Sequence, residues 1–205
     1  MDRGNQAPQG EGDMQSSAIT TLAASIAALA AFSAPAARAQ SILEQGLSGA
    51  FRGCEEWILN PASWTNGPAP FIATVGLGDT MGLVAEVDEA SLPPPALRRA
   101  NHYWRINSTE TAGYVLVVSD QMPMCHITGG GNVDLQPVVE TVLTSADFSS
   151  RWKVVLESER RDMATTTFRN RTDPSLSAIV SRSRRPGDRL DRVQVTVTAI
   201  YETED

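Results

Sequence analysis

The chain has 205 residues, 17 of them Lys or Arg and 24 Asp or Glu, for a net charge of -7 at pH 7. That balance excludes a general nucleic-acid binder held by bulk positive charge, and the length suits one domain with a core that needs no metal staple. Lys153 is the only lysine; every other basic residue is an arginine.

In chain order, the first feature is an uncharged, alanine-rich run over 18–32, followed by Pro35 and by Ala37-Arg38-Ala39-Gln40. The run is shorter than the ~20 residues that span a bilayer. A small-x-small site follows it, so residues 1–39 read as a secretory signal cleaved after Ala39. Pro35 is expected to break any helix before that site. No Lys or Arg lies between Met14 and Arg38, and Met14 supplies an alternative start. The expected product is a single domain over 40–205, periplasmic or secreted, with no stable membrane span. Removing 1–39 leaves the acidic excess in place, so nucleic acid is not an expected partner.

Residues 42–59 read as an amphipathic helix. Ile42, Leu43, Leu47, Ala50, Phe51, Cys54, Trp57 and Ile58 recur at helical spacing, and Asn60-Pro61 ends it. Residues 61–70 are loop, rich in Pro, Gly and Asn. Strands are predicted over 71–77 and 82–88, then an extended link through Pro93, Pro94 and Pro95. Residues 101–107 and 113–119 form a predicted hairpin, the second strand short and apolar enough to be central.

Gly129, Gly130 and Gly131 read as a sharp strand-to-helix turn. A loose likeness to an anion-binding loop lacks the Lys-Ser/Thr that phosphate loops require. Asp134 caps a helix through Leu143, with Pro137 in its first turn. Four strands follow, over 151–158, 163–170, 176–183 and 192–201, the last pair joined by a turn at 184–188. In the final strand Val193, Val195, Val197 and Ala199 are expected to face the core, and Gln194, Thr196 and Thr198 to face away. The whole reads as α+β: a mainly antiparallel sheet of about six to eight short strands with two helices packed on one face. The layout is similar to that of profilin-like sensor and small-ligand domains, which speaks to fold and carries no function.

Cys54 and Cys125 are the two cysteines. In an exported chain they pair as a disulfide, and both are expected on the core side. Two rival chemistries use the same region. The run Met122-Pro123-Met124-Cys125-His126, with His102, holds thioether and imidazole ligands that suit copper(I) or zinc. Cys125 with His102 or His126 could form a thiol-imidazole pair. A disulfide removes both uses of Cys125. Arg182, Arg184 and Arg185 cluster near the last turn as an anion site or, alternatively, as a solvated guard of the sheet edge. No catalytic signature is present and no cofactor is implied. The reading is therefore an exported, non-enzymatic small-ligand-binding or interaction domain, with metal handling and a thiol enzyme as alternatives.

Overall fold

A computed structural model describes residues 22–62, 67–183 and 193–201, and side chains from residue 36 onward. The chain divides into a unit Met1–Ala37 and a unit Arg38–Asp205. Helix α1 is Leu22–Leu59 and includes Pro35, where a break was expected. Ala34, Ala36 and Ala37 surround that proline with the strongest helix former. Everything below concerns the second unit.

There α1 buries Leu43, Leu47, Ala50, Phe51, Cys54, Trp57 and Ile58, the stripe its spacing predicts. Gly46, Gly49 and Gly53 are buried beside them. Each glycine costs a helix about 1 kcal/mol, so packing rather than propensity holds this one. The gain is close approach. A Cβ on Gly49 would meet Leu77 Cγ at 2.6 Å, and one on Gly53 would meet Leu116 Cδ2 at 3.1 Å.

Of residues 71–77, predicted as a strand, 71–75 belong instead to helix α2, Pro68–Val75. Pro68 starts it and Gly76, at φ 71°, ends it with its N–H on Ile72 O. Phe71 and Val75, four apart, are its buried residues. A seven-residue apolar run fits a strand or a buried helix equally, and the flanking Pro and Gly decide the matter. Strand β1 is Met81–Val84, earlier and shorter than the predicted 82–88. After turns at Glu89–Ser91 and Pro95–Leu97 come β2 (Asn101–Ile106), β3 (Ala112–Ser119) and β4 (Met124–Gly131). Helices α3 (Gln136–Thr144) and α4 (Ala146–Arg151) lead into β5 (Trp152–Arg160), β6 (Met163–Asn170), β7 (Leu176–Ser183) and β8 (Val193–Tyr201). Ser145 caps α4 through its hydroxyl on Phe148 N. Four helices thus stand where two were expected; α2 and α4 are too short to announce themselves by periodicity.

The eight strands form one antiparallel sheet in the order β1-β2-β3-β4-β8-β7-β6-β5. Each half is two helices followed by a four-strand meander, and the last strands of the two meanders pair at the centre. Trp104, Ile106, Tyr114, Leu116, Cys125, Ile127, Phe168, Leu176, Ala178, Val195, Val197 and Ala199 alternate onto one face and share a single core with all four helices. Ring contacts bind it: Phe51–Phe148 at 4.9 Å, Phe148–Phe168 at 5.0 Å and Phe71–Trp104 at 5.1 Å. Cys54 and Cys125 form a disulfide with Cα atoms 5.5 Å apart, joining α1 to central strand β4, a separation typical of the bond.

Two sequence expectations fail at the end of β4. The glycine run is not a turn to a helix but the last part of the strand, paired with β3 and β8. Gln194, expected to face solvent, is buried. The second has a local cause. The β4–β8 register shifts between Gly129 and Gly130, opposite Val195 and Val193, so Gln194 is the extra residue of a bulge. Its side chain accepts from Leu135 N at 2.8 Å and donates to Val133 O at 2.6 Å. Val195, Val197 and Ala199 face the core as expected, and Val193 is partly buried. The turn at 184–188 lies outside the described residues.

Candidate functional site

An open cleft of about 730 Å³ lies where the β2–β3 connection, the glycine end of β4 and the start of β8 meet. Asp88, Ala90 and Ser91 of the β1–β2 connection form one side. Local chemistry builds each wall. Thr109 stiffens the β2–β3 connection: its hydroxyl accepts from Ala112 N at 3.0 Å and donates to Ala112 O at 3.2 Å. Asn132 N donates to Thr111 O at 2.9 Å, holding the end of β4 against that connection. Gly131 has φ 131°, and a Cβ there would run into Thr111 O and the Ala112 backbone. A Cβ on Gly129 would meet the Tyr114 ring and Val195 at 2.7 Å. Gly129 and Gly131 therefore serve close approach, and the cleft is open partly because Gly113 and Gly130, on the face of Val115 and Thr128, put no side chains into it.

Three charged residues line this space: Asp88, Arg105 and Glu110. All three are exposed. Among the described residues none of them makes an ion pair or a side-chain hydrogen bond, whereas Arg98 pairs with Glu89 at 2.7 Å and Arg182 with Glu140 at 2.6 Å. Arg105 stands across from Val115, and Val115 across from Thr128. The three share the face of the sheet away from the helices. Thr128 is 3% exposed, and its hydroxyl is buried without a hydrogen-bond partner. An unmet hydroxyl of this kind is uncommon and calls for a reason. Tyr114, on the cleft's core side, also keeps its hydroxyl buried and unmet. Burial, with the Glu44 carboxylate second, raises its pKa and keeps it protonated.

The sheet separates the residues of the metal reading. His102 alternates with Trp104 onto the helix side, 5.7 Å from the Trp57 ring, and its Nε2 pairs with Asp120 at 2.6 Å. His126 is on the opposite face, buried, with Nδ1 2.9 Å from Thr198 Oγ1. Burial pushes its pKa down to about 4, so it is neutral at pH 7. Met124 is fully buried and Met122 partly so. Among the described residues no group of three His, Cys, Asp or Glu side chains could hold a metal ion. Cys125 is in the disulfide, which leaves the thiol-imidazole reading without its nucleophile. Arg182 ties β7 to α3 through Glu140; Arg184 and Arg185 lie outside the described residues.

Sequence reasoning missed the cleft and Arg105. The glycine run was its one visible signal, since three consecutive glycines in a strand mark close backbone approach. Compared with protein-family models, with curated proteins and with solved structures, the chain finds no match.

Proposed function

We propose that this protein is an exported, non-enzymatic domain, periplasmic or secreted, that binds a small ligand in the cleft between the β1–β2 connection and the glycine end of β4. The observation that carries the reading is the concentration of unmet polar groups there. Three charges without partners among the described residues and a buried hydroxyl likewise unmet border one concave space, the combination a binding site uses to orient a ligand. Support for export is independent of the cleft. The Ala37-Arg38-Ala39 pattern sits at the boundary of the compact unit that starts at Arg38. The first buried residue of that unit is Leu43, downstream of the cleavage site. The disulfide suits an oxidising compartment. No helix among the described residues is long and apolar enough to cross a membrane.

Two measurements test this. N-terminal sequencing of the protein from the extracytoplasmic fraction is expected to begin at Gln40; an intact Met1 or Met14 terminus in the cytosol refutes export. For binding, thermal melts of the exported protein are screened against small sugars, carboxylates, amines and amino acids. Val115→Phe, which fills the cleft between Arg105 and Thr128, is expected to abolish any stabilisation found. A melt that no compound shifts, or shifts that survive Val115→Phe, overturn the cleft as the binding site.

A further inference from the structure

We infer that the ligand of this cleft is a zwitterion, a small molecule carrying both a carboxylate and an ammonium group, such as an amino acid or a short peptide with free ends. This rests on the reading of the cleft as a ligand site and adds the chemical class.

Arg105, Val115 and Thr128 lie in one row across three adjacent strands. Strands in a sheet are about 4.8 Å apart, so the outer two Cα atoms are about 10 Å apart, a gap that an arginine side chain on the same face largely spans. The short Val115 between them leaves the space above it open, and both it and Arg105 line the cleft. A carboxylate seated over Val115 meets the guanidinium on one side. Thr128 borders the other side, its buried hydroxyl without a partner among the described residues. A guanidinium presents paired N–H donors in the geometry a carboxylate accepts.

The remaining charges select against a simple anion. Asp88 and Glu110 line the same cleft, from the β1–β2 and β2–β3 connections, and neither has an ion-pair partner among the described residues. A ligand with only negative charge meets two carboxylates. One with only positive charge meets Arg105. A neutral ligand would shield all three from water and satisfy none as an ion, and an unpaired charge that loses its water is costly. A ligand with both signs meets an opposite charge at each end, and the like-charge contacts that reject the other classes are already in place. The cleft exceeds the size of one amino acid, which leaves room for a peptide or an elaborated side chain.

Matched probes test the class: alanyl-alanine, its N-acetyl derivative without the ammonium, and its amide without the carboxylate, titrated into the exported protein by calorimetry. The free dipeptide is expected to bind tighter than about 1 mM. Each capped form is expected to bind about 10- to 100-fold more weakly, the cost of one lost charge-assisted contact. Arg105→Gln is expected to weaken the free dipeptide by the same factor and not to weaken the cationic amide, whose like-charge contact it removes. Asp88→Asn with Glu110→Gln is expected to weaken the dipeptide and not to weaken the anionic N-acetyl form. No binding of the dipeptide, capped forms that bind as well as it does, or indifference to Arg105→Gln overturns the zwitterion. The two levels fail separately. A neutral or singly charged compound whose binding is lost in Val115→Phe refutes the class and keeps the cleft, whereas zwitterion binding that survives Val115→Phe refutes the cleft.

Discussion

Acidification is expected to weaken this fold through one residue, His126. Its side chain is 5% exposed on the sheet face away from the helices. Across the strands it faces Val117 and Thr198, and its same-face neighbours along β4 are Met124 and Thr128. None of these can ionise, and Thr198 Oγ1 is its hydrogen-bond partner. The imidazolium therefore has no counter-charge among them, and burial lowers the pKa from 6.5 to about 4. The unfolded chain takes up a proton near the usual 6.5, while the folded chain resists until about 4. Stability from this group is full above 6.5, is lost progressively as the pH falls from 6.5 towards 4, and changes no further below that. At 1.36 kcal/mol per unit, the loss amounts to about 3 kcal/mol, a large share of a domain's ordinary 5–15 kcal/mol. The assay is urea unfolding of the disulfide-intact protein and of His126→Asn, which keeps a polar atom near Nδ1 and cannot titrate. From about pH 7 to about pH 4 the wild type is expected to lose about 3 kcal/mol more than the variant. Parallel pH profiles for the two proteins would refute the burial argument, because other carboxylates titrate equally in both.

Three further outcomes follow from the packing. Glu55 receives both the Arg151 guanidinium and Trp152 Nε1, tying α1 to α4 and β5; Glu55→Ala, which leaves Trp152 Nε1 unmet and Arg151 with Asp147 alone, is expected to cost about 2–3 kcal/mol in a urea titration. Cys54→Ala with Cys125→Ala opens a loop with a sequence separation of 71 and is expected to cost about 4 kcal/mol, read as a lowered Tm. Gly131→Ala forces a side chain onto a backbone at φ 131° against Thr111 and Ala112 and is expected to cost more than about 2 kcal/mol, whereas Gly82→Ala, with nothing within 4 Å of its Cβ, is expected to stay within about 0.5 kcal/mol.

The second meander was legible almost to the residue. Strands predicted over 163–170 and 176–183 are β6 and β7 as found, because turn residues bracket them and β-branched residues fill them. The stripe of α1 was equally plain, and so was the Cys54–Cys125 bridge. What failed depended on distant parts of the chain. Phe71 to Val75 became a helix under the control of Pro68 and Gly76, which lie outside the apolar run itself. Gln194 turned inward because a bulge in β8 moved it, and nothing within the alternating valines marks a bulge. The site was the least legible. Arg105 is one arginine in a strand of mixed character, and only the tertiary fold shows that it lacks a partner and overlooks a glycine-lined hollow.

The pairing of β4 with β8 also shows what sets the cleft's half of the sheet apart. Ile127 and Val197 face each other at the centre of the sheet. Exchanging the two, and following the registers outward, maps the first meander onto the second. Thr128, Val115 and Arg105 then correspond to Thr198, Ile179 and Thr167, and Gly113 and Gly130 to Ser177 and Ile200. The second half thus has side chains where the first has bare backbone, and a threonine where the first has its unpaired guanidinium. Thr198 has the His126 ring as its partner; Thr128, its counterpart, has none. The halves differ first in one connection: the β1–β2 link, 85–100, supplies the Asp88, Ala90 and Ser91 side of the cleft, whereas β5 and β6 are joined through 161–162 alone. The hollow arises from that longer link together with the substitutions that set the first half apart. Those substitutions cost stability, since strand glycines weaken a sheet and an orphan buried hydroxyl costs about 1–3 kcal/mol. A cost confined to one of two matching positions is the pattern of a binding site, where local stability gives way to function.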